Sequence, residues 1–136
     1  MLCEGKYDAI FFSEIISARL GISTDKIITI PNNVMSQLQK ALRKPENKTI
    51  IVYGDNGRRT LFNKVIPRVI REMFARDFSN VSLQIIVDDD GIGQEKLFDN
   101  LKDILQRFFT NVKRFQRKRT PRLEINGNKL ELYITY

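Results

Sequence analysis

One stretch of the chain, residues 81–93, constrains the fold more than any other. It contains a nearly unbroken apolar run, Leu83 to Val87, that is rich in β-branched residues. Such a run is typical of a strand buried on both faces of a parallel sheet. In open α/β sheets ligands bind at the carboxyl ends of the strands, so the stretch predicts a binding site at that edge. The polar residues that follow the run are Asp88, Asp89, Asp90, Gly91 and Gly93.

The spacing of these aspartates favours a cation site. Side chains alternate along an extended chain, so Asp88 and Asp90 can point the same way while Asp89 points elsewhere. Two carboxylates on one side repel each other unless a cation lies between them, and carboxylate oxygens suit Mg²⁺ or Mn²⁺. The alternative is a solvated acidic turn that caps the next helix.

The composition limits the chemistry that such a site can perform. The 136 residues include no histidine, which excludes Ser-His-Asp triads and histidine general bases. The single cysteine, Cys3, cannot form an internal disulfide and is interpreted as a small buried hydrophobe. No apolar run approaches membrane-spanning length. These features predict one soluble cytoplasmic domain, residues 1–136, with no membrane partner.

The positive charge of the chain is concentrated toward its end. The net charge is +7, and residues 94–136 hold ten basic and five acidic residues. A basic flank beside an acidic cluster is typical of a protein that performs metal chemistry on a polyanion, so nucleic acid is the expected partner. The alternative is a solvated basic connection between two elements. The densest part, here called the basic tract, consists of Lys113, Arg114, Arg117, Lys118 and Arg119.

Hydrophobic periodicity along the chain alternates between helix and strand. The resulting fold prediction is an α/β domain whose mostly parallel sheet of four or five strands is flanked by helices and followed by a C-terminal β-hairpin. The predicted elements begin with a helix at 8–20 whose apolar stripe is Phe11, Phe12, Ile15, Ile16 and Leu20 and whose cap is Gly21, followed by a strand at 26–30, a helix ending near Pro45 and a strand at 49–53. Next come a helix from Leu61 in which Pro67 implies a kink or a later start, a long final helix that includes Phe108 and Val112, and a hairpin with its turn at Asn126-Gly127.

A second acidic motif lies near the start of the chain. Glu4 is expected in a strand-to-helix turn, at the same edge of the sheet as the aspartates, and Asp8 follows at the start of the helix. An N-cap role for Asp8 is the alternative. Glu4-Gly5-Lys6-Tyr7-Asp8, joined to the D-D-D-G-I-G string that ends at Gly93, resembles the Toprim (topoisomerase–primase) family.

The resemblance implies a Rossmann-like fold and a catalytic role. Glu4 would be a general acid or base, and Asp88 and Asp90 would hold Mg²⁺ or Mn²⁺. Gly5, Asp8 and Gly93 match the two motifs, and Asp89 is a further possible ligand. The implied function is Mg²⁺-dependent phosphoryl transfer on DNA or RNA, foremost phosphodiester hydrolysis by a nuclease. The alternative is a non-catalytic module that binds nucleic acid or another partner.

A glycine-bearing loop follows the strand at 49–53. Only two residues separate Gly54 from Gly57, so the loop is not a Walker P-loop. Its arginines, Arg58 and Arg59, are predicted with Lys6 to hold phosphate, because backbone N–H groups and guanidinium groups bind this anion. An ordinary turn with solvated arginines is the alternative. Asp55 could add another carboxylate to a metal site.

Overall fold

The computed structural model describes residues 1–43, 50–75, 82–88, 91–117, 120–125 and 128–135. For 82, 94, 114–117, 120–124 and 128–135 it describes the backbone alone. The chain divides into two compact units, Met1–Asp77 (unit 1) and Phe78–Tyr136 (unit 2). Helices alternate with strands that have parallel neighbours, which confirms the predicted α/β class.

Unit 1 contains three parallel strands in the order β2-β3-β1. Leu2 lies opposite Tyr53, and Ile27 lies opposite Ile50. A helix follows each strand, as parallel connections require. The elements are β1 (Leu2–Cys3), α1 (Lys6–Leu20), β2 (Ile27–Ile30), α2 (Met35–Arg43), β3 (Ile50–Gly54), α3 (Arg58–Thr60), a π-helical turn (Leu61–Val65) and α4 (Ile66–Ala75).

Helix α1 begins earlier than the sequence pattern predicts. Its N-cap is Gly5, which makes no side-chain capping bond, and Asp8 is the third helical residue. The N-cap role for Asp8 is therefore wrong. The predicted end of the helix is confirmed, because Gly21 adopts the left-handed conformation with φ of 63°.

The apolar side chains of α1 divide between two sides of the helix. Ala9 and Ile16 are buried, while Phe11 is 55% exposed and Leu20 is 67% exposed. The sequence pattern placed Phe11 and Leu20 in the core-facing stripe, which is wrong. The helix is apolar around much of its circumference, so spacing alone cannot identify its buried side.

Pro67 changes the helical geometry that precedes it. It lies at the second position of α4, directly after the π-helical turn. Proline has no N–H to donate, and its ring crowds the carbonyl four residues earlier, so the preceding turn widens. The later helix start that Pro67 offered as one possibility is wrong, because helical structure runs from Arg58 to Ala75 with the π turn directly before α4.

Unit 2 combines parallel and antiparallel pairing. Its strand order is β4-β7-β6-β5, in which β4 and β7 are parallel and the other two pairs are antiparallel. Ile125 lies opposite Asn128, the register of the predicted hairpin, whose turn at Asn126-Gly127 lies outside the described residues. The elements are β4 (Ser82–Ile86), α5 (Gln94–Leu105), β5 (Val112–Arg117), β6 (Thr120–Ile125) and β7 (Asn128–Thr135).

Helix α5 ends earlier than predicted. The sequence pattern extended it through Phe108 to Val112, but the helix ends at Leu105 and Val112 begins β5. Phe108 is 41% exposed, and Phe109 is buried instead. The pairing of β5 with β6 accounts for this difference. A helix-like spacing of apolar residues along the sequence does not reveal that a segment pairs as a strand. None of the described helices is long and apolar enough to cross a membrane.

Candidate functional site

The turn between β1 and α1 carries the first acidic motif. Glu4 directly follows β1 and is partly exposed. Asp8 lies close to the same turn: a Cβ added at Gly5 would lie 3.2 Å from Oδ2 of Asp8. The structure therefore brings Glu4, Gly5 and Asp8 together at the carboxyl end of a parallel strand, as the sequence motif predicts.

Backbone hydrogen bonds link the turn after β3 to each of the other two strand-to-helix turns of unit 1. The N–H of Asp55 donates to the carbonyl of Cys3 at 2.9 Å, and the N–H of Gly57 donates to the carbonyl of Glu4 at 3.0 Å. The N–H of Asn33 donates to the carbonyl of Gly54 at 3.0 Å. These turns, residues 4–8, 31–33 and 54–57, are here called the unit 1 edge.

Gly54 lies where the three turns meet. A Cβ at this position would lie 2.9 Å from the carbonyl oxygen of Gly5, 3.0 Å from Cβ of Ala9 and 3.1 Å from the carbonyl oxygen of Pro31. Two of these neighbours are backbone atoms, which cannot swing aside as a side chain can. Glycine at this position is therefore a packing requirement of the unit 1 edge.

Asp55 is a buried carboxylic acid at the unit 1 edge. Its side chain is only 4% exposed. The hydroxyl of Tyr53 donates to Oδ1 at 3.3 Å, while Oδ2 is buried and accepts no hydrogen bond from the described residues. Burial raises the pKa of Asp55, and the adjacent backbone N–H of Asn56 and the hydroxyl of Tyr53 oppose this effect.

The sequence indicated Asp55 only as an additional carboxylate for a metal site. In the structure, its burial distinguishes it from the other described acids of the unit 1 edge. The available signal was the spacing from Tyr53. Side chains two positions apart share one side of a strand, so an acid two residues after a core tyrosine tends toward the interior. Burial also raises the pKa of the Tyr53 phenol, and Asp55 raises it further.

The basic residues assigned to phosphate have three different environments. Arg58 is partly exposed and begins α3, Arg59 is exposed, and Lys6 is exposed with Nζ 5.9 Å from the ring centroid of Tyr7. Gly57, the N-cap of α3, has φ of 109°. Phosphate binding by these residues stays a prediction.

The second acidic motif belongs to unit 2. Val87 is buried, and the exposed Asp88 follows it, two residues after the end of β4. Gly93, with φ of 90°, is the N-cap of α5 and accepts a hydrogen bond from the N–H of Leu97 at 3.1 Å. Asp89 and Asp90 lie outside the described residues. The strand–turn–helix setting predicted for Asp88 is therefore present.

The first part of the basic tract has the backbone conformation of a β-strand and not that of a connecting loop. This part belongs to β5, so the alternative of a solvated connection is wrong for residues 113–117. Lys113 is exposed, and the structure gives only the backbone of Arg114 and Arg117. Lys118 and Arg119 lie outside the described residues.

The donor atoms present suit a hard divalent cation. Among the residues that the structure describes, no group of three His, Cys, Asp or Glu side chains could hold a metal ion. Mg²⁺ does not need one, because it keeps several waters and is usually held by one or two carboxylates with substrate phosphates. In unit 1 the carboxylates are those of Glu4 and Asp55, and Oδ2 of Asp55 has its bonding capacity unused by the described residues. In unit 2, Asp88 supplies a carboxylate of its own.

Comparison of the chain with protein-family models, with curated proteins and with solved structures gives no match. Its function is therefore inferred from the motifs and from the geometry of each unit.

The packing around Gly54 predicts a stability difference between two glycine substitutions. Gly54→Ala should lower the free energy of unfolding by about 1–3 kcal/mol, because the new methyl group overpacks against backbone oxygens. Gly5→Ala is the matched control, since its methyl group meets the Asp8 carboxylate, which can rotate. Chemical denaturation measures both, and an equal decrease in the two variants would contradict the packing requirement.

The environment of Cys3 predicts an inert thiol. The side chain is fully buried, and burial, with a further contribution from Asp8, raises the pKa of the thiol to about 11. At pH 8 the native protein should react with iodoacetamide at least about 100-fold more slowly than the unfolded chain, because the thiolate is the nucleophile. Mass spectrometry with and without denaturant measures the ratio; equal rates would show that the β1 end is open to solvent.

Proposed function

We propose that this protein catalyses Mg²⁺-dependent phosphoryl transfer on nucleic acid, with phosphodiester hydrolysis as its reaction. One observation carries the proposal. Glu4 and Asp88 each follow a strand that has a parallel neighbour, and each precedes a helix. The carboxyl ends of such strands are where α/β proteins bind ligands. The motif resemblance to Toprim domains supplies the reaction class.

Glu4 is assigned proton transfer. It is partly exposed, so substrate can reach it, and the hydrogen bond from Gly57 to its carbonyl fixes its backbone. A carboxylate in this position can take a proton from an attacking water or give one to a leaving oxygen. Histidine is the commonest general base in enzymes, and the chain contains none, so no histidine competes with Glu4 for this role.

Basic side chains are assigned to the phosphate backbone of the substrate. In unit 1 these are Lys6, Arg58 and Arg59, all at least partly exposed, and in unit 2 they form the basic tract. Guanidinium groups bind phosphate oxygens in a bidentate manner and stabilise charge that develops during transfer. Phosphate contacts carry no sequence information, so the protein should bind without sequence preference.

Asp88 and Asp90 are assigned to the cation. Asp88 is exposed at the start of the acidic turn, and carboxylates two positions apart in an extended segment point the same way. When bound, Mg²⁺ or Mn²⁺ would polarise the phosphoryl group. The assignment explains why two of the three aspartates in this turn are two positions apart.

The role of Glu4 predicts a large loss of activity without loss of structure. Glu4→Gln keeps the shape of the side chain and removes the titrating oxygen, so metal-dependent cleavage should fall by about 10²–10⁴-fold. Cleavage of single- and double-stranded DNA and RNA would be measured with Mg²⁺, Mn²⁺ or EDTA. Folding and nucleic-acid binding should stay near those of the wild type.

Glu14→Gln is the matched control, because Glu14 is an exposed glutamate of α1 in the same unit and should be dispensable. Full activity of Glu4→Gln would remove Glu4 from the mechanism. A wild type that cleaves none of the four substrates with either metal would replace the enzyme by a binding module.

The basic tract predicts a change in the salt dependence of binding. Neutralising Lys113, Arg114 and Arg117 with glutamine should flatten the plot of log affinity against log salt by roughly 0.7–0.9 units for each phosphate that the variant no longer neutralises. Fluorescence anisotropy with a labelled oligonucleotide measures the slope.

A charge-matched control separates local contacts from net charge. Lys96, Lys102 and Arg107 lie in or just after α5 and carry the same total charge in the same unit. Their replacement with glutamine should leave the slope near that of the wild type. If the two triple variants change the slope equally, the basic tract has no special role.

A further inference from the structure

Oδ2 of Asp55 is buried and has no hydrogen-bond partner among the described residues. Its companion oxygen, Oδ1, accepts the hydroxyl of Tyr53. Buried polar atoms are nearly always paired, so an unpaired carboxylate oxygen indicates a missing partner. The atom lies at the carboxyl end of β3, where parallel sheets bind ligands.

Glu4 occupies the position beside Asp55. Cys3 lies opposite Gly54 in the parallel register of β1 and β3, so Glu4 and Asp55 are the next residues along the two chains. Hydrogen bonds from Asp55 to Cys3 and from Gly57 to Glu4 continue the pairing beyond the strands. Neighbouring strands lie about 4.8 Å apart, a separation at which two carboxylates can share one ion.

We propose that Asp55 and Glu4 bind a divalent cation at the unit 1 edge, with Oδ2 of Asp55 as the principal ligand. This site belongs to unit 1 and is additional to the cation assigned to Asp88 and Asp90. Two carboxylates are enough protein ligands for Mg²⁺ or Mn²⁺, whose remaining positions are filled by water or by substrate phosphate.

The negative charge of the two carboxylates favours a cation over an anion at this site. An anion would be repelled by Asp55 and Glu4. A bound cation offsets the free-energy cost of burying the charged carboxylate. The carboxylate can also turn toward the ion, because rotation about its terminal torsion is easy. Because Glu4 is partly exposed, an ion can enter from its side of the pair.

The inference goes beyond the proposed function and does not require cleavage. Metal binding would be measured in the absence of nucleic acid, so an inactive protein could still support it. If cleavage is observed, Glu4 would bind this second cation through one carboxylate oxygen and transfer the proton through the other.

The test titrates Mn²⁺ into the full chain and follows free Mn²⁺ by electron paramagnetic resonance. Asp55→Asn keeps the shape of the side chain and should weaken one binding event by at least about tenfold, a loss that even an outer partner of a ligand can cause. Asp88→Asn should retain that event. Asp25→Asn, which changes an exposed aspartate of the same unit, should match the wild type.

A second measurement uses the unsubstituted side chain of Asp55. Substoichiometric Mn²⁺ should broaden the amide NMR signals of residues 54–57, and the broadening should persist in Asp88→Asn. Equal Mn²⁺ binding by wild type and Asp55→Asn would overturn the proposal. So would the absence of broadening at residues 54–57 in the Asp88→Asn protein.

Discussion

The unit 1 edge depends on one constraint, the close approach of three strand-to-helix turns around Gly54. Each turn gives or accepts a backbone hydrogen bond there, and the space at Gly54 excludes even a methyl group. Parallel strands leave the backbone groups at their ends to be satisfied by such turns. As a result, Glu4, Asp8 and Asp55 are held by backbone geometry and not by side-chain contacts alone.

That constraint explains why acids with different environments occur together at the unit 1 edge. Glu4 is partly exposed, Asp8 is exposed on the first turn of α1, and Asp55 is buried. A buried carboxylic acid resists ionisation more than an acid in contact with water does. The unit 1 edge therefore offers a ligand the carboxyl oxygens of a buried acid and those of acids in contact with water. Functional sites use such a combination.

The sequence predicted the α/β class and the setting of both acidic motifs, because strand runs, glycines and acids are local signals. It did not predict the burial of Asp55, which depends on how β1 and β3 pair. It extended α5 too far, because Phe108 and Val112 continue a helical spacing that β5–β6 pairing overrides. The outward position of Phe11 was missed for a related reason: α1 is apolar on several sides, and spacing cannot rank them.

The π-helical turn at Leu61–Val65 has a consequence for helix phase. The buried residues of this segment and α4 recur every four positions, as Leu61, Val65, Val69 and Met73 do. At 3.6 residues per turn, each step of four overshoots a full turn by about 40°. A wider turn reduces this drift and keeps the column facing inward. Because Arg58 and Arg59 directly precede this turn, its width sets their rotational position relative to the buried column.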